Sequence, residues 1–243
     1  MAPPALHPRG EMGTGLVTQL RVEDSGPCPV LWQTPIGPIW GRANDESLLE
    51  FLIAEQLIDG VYRHEPVAVE AGDVVLDIGG HLGTFTRHAL YRGAKLVVAF
   101  EPEPTNIECF KRTFEQEMQD QRVVLIEAAA WDSDGTVHFL LEGTANTGTG
   151  QVIESGSLQV RAATIDGTIE HLGLDHVDFI KMDIEGSERN ALAGARRTLA
   201  RDAPRMALCI YHREDDRQVV PQLVLAAQPD YHIIESLNQA YFY

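Results

Sequence analysis

The stretch Val74-Val75-Leu76-Asp77-Ile78 runs straight into glycines at 79, 80 and 83, and Thr84 to Tyr91 then reads as a helix. A short run this apolar suits a strand buried on both faces, as in a parallel sheet. Parallel neighbours can be joined only by long crossovers, so a strand, a glycine turn and a helix commit the surrounding chain to repeated β-α units.

The rest of the sequence keeps that rhythm. Leu96 to Phe100 is a second buried-strand candidate, closed by Glu101-Pro102-Glu103-Pro104 and followed by a helix from about Thr105 to Met118. Val123 to Ile126 gives a third strand. Asp178 to Asp183 gives a fourth, with a helix over Glu188 to Leu199 behind it, and Met206 to Tyr211 a fifth. The fold class expected is α/β: a Rossmann-like, mostly parallel sheet with helices on both faces. Tyr231 to Ile234 and Tyr241 to Tyr243 would close it as a C-terminal antiparallel hairpin. Upstream, Asn44 or Asp45 can cap a helix that carries Leu48, Leu49, Leu52, Ile53 and Leu57 on one face and ends at Gly60. Residues 1–30, rich in Pro and Gly, read as a loosely ordered arm, and 31–243 as a single domain. A more polar strand pair, Gly135 to Leu140 and Ser157 to Arg161, marks a hairpin insertion at about 135–162.

Charge narrows the partners. The net charge is −17 and the chain holds three lysines, Lys95, Lys111 and Lys181, so it has little with which to coat nucleic acid or an anionic membrane. No apolar segment approaches the length of a membrane span or a signal peptide. Cys28, Cys109 and Cys209 are far apart and odd in number, which predicts free thiols in a reducing, cytoplasmic compartment.

The crossover rule places the carboxyl ends of parallel strands on one edge, where ligands bind at the topological switch point. The polar clusters of this sequence fall at such ends. Asp77 with the turn Gly79-Gly80-His81-Leu82-Gly83 offers exposed amides and room for close backbone approach. If ligand approach is what requires Gly79, a valine there would block binding in a folded protein. The spacing is not G-x-G-x-x-G, and no Gly-Lys-Ser/Thr phosphate loop is present. Glu101, 24 positions beyond Asp77 at the end of the next strand, can accept the hydroxyl protons of a ribose. Lys181, Asp183 and Glu185 alternate along the fourth strand and would share one face at a buried end, where unpaired charge is expensive.

Three segments, Val75 to Thr86, Phe100 to Asn106 and Ile180 to Glu188, resemble the FkbM family of S-adenosylmethionine-dependent methyltransferases. Ala129 to Gly135 and Tyr211 to Asp216 add to the likeness, which runs from about Trp40 to the C-terminus. The resemblance implies that Asp77, Gly79, Gly80, His81, Leu82 and Gly83 hold the methionine end of the cofactor. It puts Glu101 and Pro102 at the ribose, and Glu127 and Ala128 beside the adenine. Gly80 and His81 stand where Ala-Asn is more usual, and Trp131 replaces a small residue; Trp131 could stack on adenine, line the acceptor pocket or sit in the core.

Methyl transfer needs an in-line acceptor, exclusion of water and removal of a proton when the acceptor is a hydroxyl. Asp183, Glu185 or His212 could be the base, with Lys181 beside them. Alternatively Asp183, Glu185 and His212 could ligate Mg²⁺ or Mn²⁺. Tyr62 and His64 precede the first strand in a segment that could fold over the cofactor. The reading reached is O-methylation of a small-molecule or sugar hydroxyl. A dehydrogenase-like nucleotide enzyme and a non-catalytic cofactor-binding module stand as rivals.

Overall fold

The structure, a computed structural model, describes residues 15–23, 26–140, 150–153 and 158–243. It opens on an antiparallel three-stranded sheet of β1 (Thr18–Val22), β2 (Val30–Thr34) and β3 (Gly37–Gly41). Helix α1 (Glu46–Ala54) widens into a π-helical turn over Glu55–Asp59 that Gly60 ends in the left-handed conformation. The β-α repeat follows: β4 (Val74–Ile78), α2 (Thr84–Tyr91), β5 (Leu96–Phe100), α3 (Pro104–Thr113), α4 (Glu115–Gln119) and β6 (Val123–Ile126). Strands β7 (Ala129–Ala130), β8 (Gly135–Leu140), β9 (Gln151–Ile153) and β10 (Leu158–Ala163) make a separate sheet in the order β7-β10-β8-β9. The chain then returns through α5 (Ile165–Leu172), β11 (Phe179–Met182), α6 (Glu188–Ala193), α7 (Arg196–Asp202), β12 (Arg205–Cys209), α8 (Asp216–Ala227), β13 (Ile233–Glu235) and β14 (Gln239–Phe242).

The main sheet has seven strands in the order β13-β14-β12-β11-β4-β5-β6. Strands β12, β11, β4, β5 and β6 are parallel, and β14 runs antiparallel to both β12 and β13, which gives the expected terminal hairpin. Strand alternation divides the central residues between two helix layers. Leu76, Ile78, Ile180 and Met182 enter the larger core cluster, whereas Val75 and Phe179 pack with Phe85 and Ala89 of α2 on the other face. Asp77 and Lys181 belong by alternation to that second face, directly opposite each other in the β4–β11 register.

Several boundaries differ from the sequence reading for local reasons. The helix expected over 105–118 breaks at Phe114, whose buried ring lies on Phe110 and under the Arg87 guanidinium. The one expected over 188–199 breaks near Gly194, where a Cβ would stand 2.0 Å from the Trp131 carbonyl oxygen. Helices α5 and α8 were not expected at all.

Within the arm expected over 1–30, β1 pairs with β2. Val17, Cys28 and Val30 join Trp32, Ile39, Leu49, Leu82 and Cys109 in one buried cluster. Every residue of β1 is exposed, so it is held by backbone pairing and leaves no apolar alternation to read. Residues 1–14 and 24–25 of that arm, and 141–149 and 154–157 of the insertion, including Ser157 of its second expected strand, lie outside the described residues.

The expectation of three free thiols is overturned: Cys28 and Cys109 form a disulfide, and Cys209 alone is free. Sequence separation hid the pair, because β3 packs on α3 and the segment just ahead of β2 lies beside it, which brings two cysteines 81 positions apart together. The thiol argument for a reducing compartment therefore loses its ground. No described helix is long and apolar enough to cross a membrane.

Candidate active site

The chain leaves β4 toward β5 and β6 on one side and returns to β11 and β12 on the other. The carboxyl ends of β4 and β11 are therefore the switch point, and the site is built there. The Asp183 amide donates to the Ile78 carbonyl (3.1 Å), and Gly79 and Gly80 donate to the Phe100 carbonyl (3.1 and 2.8 Å), lacing three strand ends together.

Asp77 is fully buried and lines neither of the two cavities at this edge. One of its oxygens accepts the Thr86 hydroxyl at 2.7 Å and the other lies 3.2 Å from Lys181 Nζ. Lys181 donates to the Gly79 carbonyl at 2.7 Å, so the pair fixes the floor of the glycine turn. Burial opposes the lysine's charge, but Asp77 and then Asp183 hold its pKa above the usual value. At Gly79, φ is 90° and a Cβ would lie 2.1 Å from the Asp183 carbonyl oxygen. The protein itself therefore requires glycine there, which corrects the expectation that a valine would leave a folded chain. Gly83 is equally constrained: a Cβ would stand 2.1 Å from the Phe114 ring. Leu82 is buried with the β2–β3 cluster rather than facing a cavity.

The first cavity lies over the ends of β5 and β7 and is bordered by Glu101, Pro102, Asn106, Ala128, Phe139 and Val152. Glu101 sits at its base, where its carboxylate accepts the amides of His81 (2.7 Å) and Glu103 (2.9 Å) and the Asn106 side chain (3.4 Å). Burial pushes its pKa up to about 7 against those donors. Glu103 caps α3 through the Asn106 amide (2.6 Å) and faces Arg42 at 3.3 Å. His81 borders both cavities, and burial, then Arg42 and Lys181, lower its pKa to about 3, so the ring is neutral. Ala128 is in place, but Glu127 turns outward, half exposed, to pair with Lys111 at 2.7 Å. Trp131 lines neither cavity.

The second cavity lies between α1 and the end of β11, against Leu48, Leu52, Gln56, Tyr62 and Phe85. Gly79, His81, Asp183 and Glu185 line both cavities and form their junction. Strand alternation does not carry Glu185 there, because β11 ends at Met182; Glu185 is itself in the left-handed conformation (φ 53°), just before Gly186. Asp183 accepts the Tyr62 hydroxyl at 2.7 Å on Oδ2, and its Oδ1 is buried without a hydrogen bond. His212 Nε2 lies 3.5 Å from both Asp183 Oδ1 and Glu185 Oε2. Its Nδ1 is 2.9 Å from Glu188 Oε1, an ion-pair contact rather than an aligned hydrogen bond. Burial disfavours a charge on the ring, yet Glu188, then Asp183 and Glu185, raise its pKa to about 8.

Sequence reasoning did not single out Arg42, Asn106, Phe139 or Glu188. Glu188 carried a faint signal as an acidic residue opening a helix just after the 181–185 cluster, and Asn106 closes the segment that begins at Phe100; Arg42 and Phe139 come from distant segments.

The sheet order with its antiparallel last strand, and an acidic residue instead of a phosphate loop after β5, define a Rossmann-like α/β fold of the methyltransferase kind. The chain belongs to the FkbM methyltransferase family, whose members use S-adenosylmethionine: residues 77–241 match the Methyltransferase FkbM domain. It is 28% identical over 131 residues to the hexuronic acid methyltransferase AglP of Haloferax volcanii, covering 54% of this chain and 53% of the relative. It is 27% identical over 161 residues to the 2-O-methyltransferase NoeI of Sinorhizobium fredii, covering 58% and 65%. The chain thus spans between half and two thirds of the curated relatives' length. The crystal structure of a methyltransferase FkbM from Methylobacillus flagellatus superposes with a TM-score of 0.57 at 22% identity, over 79% of this chain and 48% of that one.

Proposed function

We propose that this protein transfers the methyl group of S-adenosylmethionine to a hydroxyl of a sugar or other small molecule. The carrying observation is the junction, where two cavities meet at Asp183 and Glu185 with His212 directly behind.

The first cavity suits the nucleoside of the cofactor. Glu101 is desolvated and retains acceptor capacity beyond its three donors, as two ribose hydroxyls require. Phe139 and Val152 of the β8–β9 hairpin cover the apolar side, where Ala128 leaves room for a base. The Gly79 and His81 backbone would face the methionine end. When bound, the cofactor supplies an electrophilic methyl on a sulfonium.

The chain's own task is then to orient the acceptor, exclude water and receive a proton. The second cavity offers the apolar wall of Leu48, Leu52 and Phe85 to the acceptor and Gln56 as a polar contact. Tyr62 holds the Asp183 carboxylate by one oxygen, so the other faces the junction. One of Asp183, Glu185 and His212 would take up the hydroxyl proton. The names of the two curated relatives, a hexuronic acid methyltransferase and a 2-O-methyltransferase, favour a sugar hydroxyl as acceptor. The domain reading carries forward as well: one catalytic unit, with the β8–β10 insertion as part of the cofactor pocket. The surplus of negative charge argues against a nucleic-acid acceptor.

The test is incubation with methyl-labelled cofactor and a panel of neutral and uronic acid glycans. Alkali-stable label on a hydroxyl is the expected product. Label released by mild base, as from a methyl ester, or found on nitrogen would overturn the hydroxyl assignment. Absence of transfer to every acceptor class would favour the non-catalytic module.

A further inference from the structure

We propose that Asp183, Glu185 and His212 form a binding site for one divalent cation of the Mg²⁺/Mn²⁺ class at the junction of the two cavities. One donor atom from each residue lies within 4.8 Å of the others. Octahedral coordination at about 2.1 Å sets neighbouring donors roughly 3 Å apart and opposite ones roughly 4.2 Å apart. The observed 3.5 Å separations from Nε2 to the two carboxylates fall between those limits.

A second observation separates this cluster from a chance gathering of acids. The His212 side chain is only 7% exposed, and its Nε2 points between two carboxylates without a hydrogen bond. Its other ring nitrogen faces Glu188, which is fully buried and pinned by the Ile184 amide (3.0 Å). A carboxylate behind the far nitrogen of an imidazole is the arrangement that orients metal-bound histidines. Asp183 is set up in the same way, anchored through Oδ2 by Tyr62 with Oδ1 left buried and unbonded. Asp183, Glu185 and Glu188 all lie against the His212 imidazole, and the nearby Lys181 is engaged by Asp77 and the Gly79 carbonyl. Three carboxylates gathered in a partly buried corner repel one another, and a divalent cation would offset that repulsion. Two oxygen donors and one nitrogen, with the remaining positions open to the cavities, suit a hard ion that keeps waters or takes a substrate oxygen. Such an ion would polarise an acceptor hydroxyl. That use rests on the hydroxyl-methylation reading, whereas the site itself does not.

The experiment is a Mn²⁺ titration of the full chain followed by electron paramagnetic resonance, with Mg²⁺ as competitor. One Mn²⁺ per chain is expected, with tenfold or greater weakening in Glu185→Gln and in Asp183→Asn and none in the exposed control Glu170→Gln. If a variant fails to fold, broadening of the His212 ring resonances by substoichiometric Mn²⁺ in the unaltered protein decides the matter. No binding at millimolar Mn²⁺, equal binding in all variants, or an unbroadened His212 ring would overturn the proposal. Methyl transfer undiminished by chelator with no bound Mn²⁺ would remove the cation and leave hydroxyl methylation standing. Tight, variant-sensitive Mn²⁺ binding without hydroxyl transfer would do the reverse.

Discussion

Glu101 makes cofactor affinity pH-dependent in a direction the structure fixes. Its carboxyl ionises at about 7 because burial outweighs the His81, Glu103 and Asn106 donors. Ribose hydroxyls donate to the ionised form. If only that form binds well, apparent affinity scales with its fraction, about one eleventh at pH 6 and ten elevenths at pH 8, so the dissociation constant should fall roughly tenfold between them. Stability moves the other way. A carboxyl whose folded pKa is raised from 4.5 to about 7 favours the folded state at low pH, and that contribution is lost as pH rises between the two values. The loss is at most about 3 kcal/mol, part of which bound cofactor restores. Calorimetry with 5′-deoxy-5′-methylthioadenosine avoids the cofactor's own titrating amino group. Glu101→Gln should flatten the pH profile and weaken binding by about 1.5–3 kcal/mol per charge-assisted bond lost. Equal affinity at pH 6 and 8 in the unaltered protein, or a profile that survives Glu101→Gln, would refute the reasoning.

Two further outcomes concern the floor of the site. Gly79→Ala should destabilise strongly in thermal melts, because its Cβ meets the Asp183 carbonyl, whereas Gly80→Ala, whose nearest neighbours are at 3.4 Å, should shift the melting temperature little. Lys181→Met strands the buried Asp77 carboxylate and should cost about 3–5 kcal/mol in denaturant unfolding, most of it recovered by adding Asp77→Asn.

The parallel strands were legible in the sequence alone. All five are short apolar runs because both faces are covered, and their turn chemistry is local, so β4, β5 and the Gly79–Gly83 turn were legible residue by residue. Family resemblance and strand-end position also picked out Glu101, Asp183, Glu185 and His212 before their neighbours were known. What periodicity could not supply is which strand ends lie side by side. That was decided by the crossover from β6 to β11, which sets Asp183 against Gly79 and shifts the reason for that glycine from the ligand to the protein. The Tyr62 and Phe139 walls, the Arg42 contact with Asn106, the Glu188 support behind His212, the outward turn of Glu127 and the Cys28–Cys109 bond likewise join separate segments of the chain. Such contacts leave no local pattern, because the free energy that selects them comes from burying distant surfaces against one another rather than from the conformational preference of any one segment.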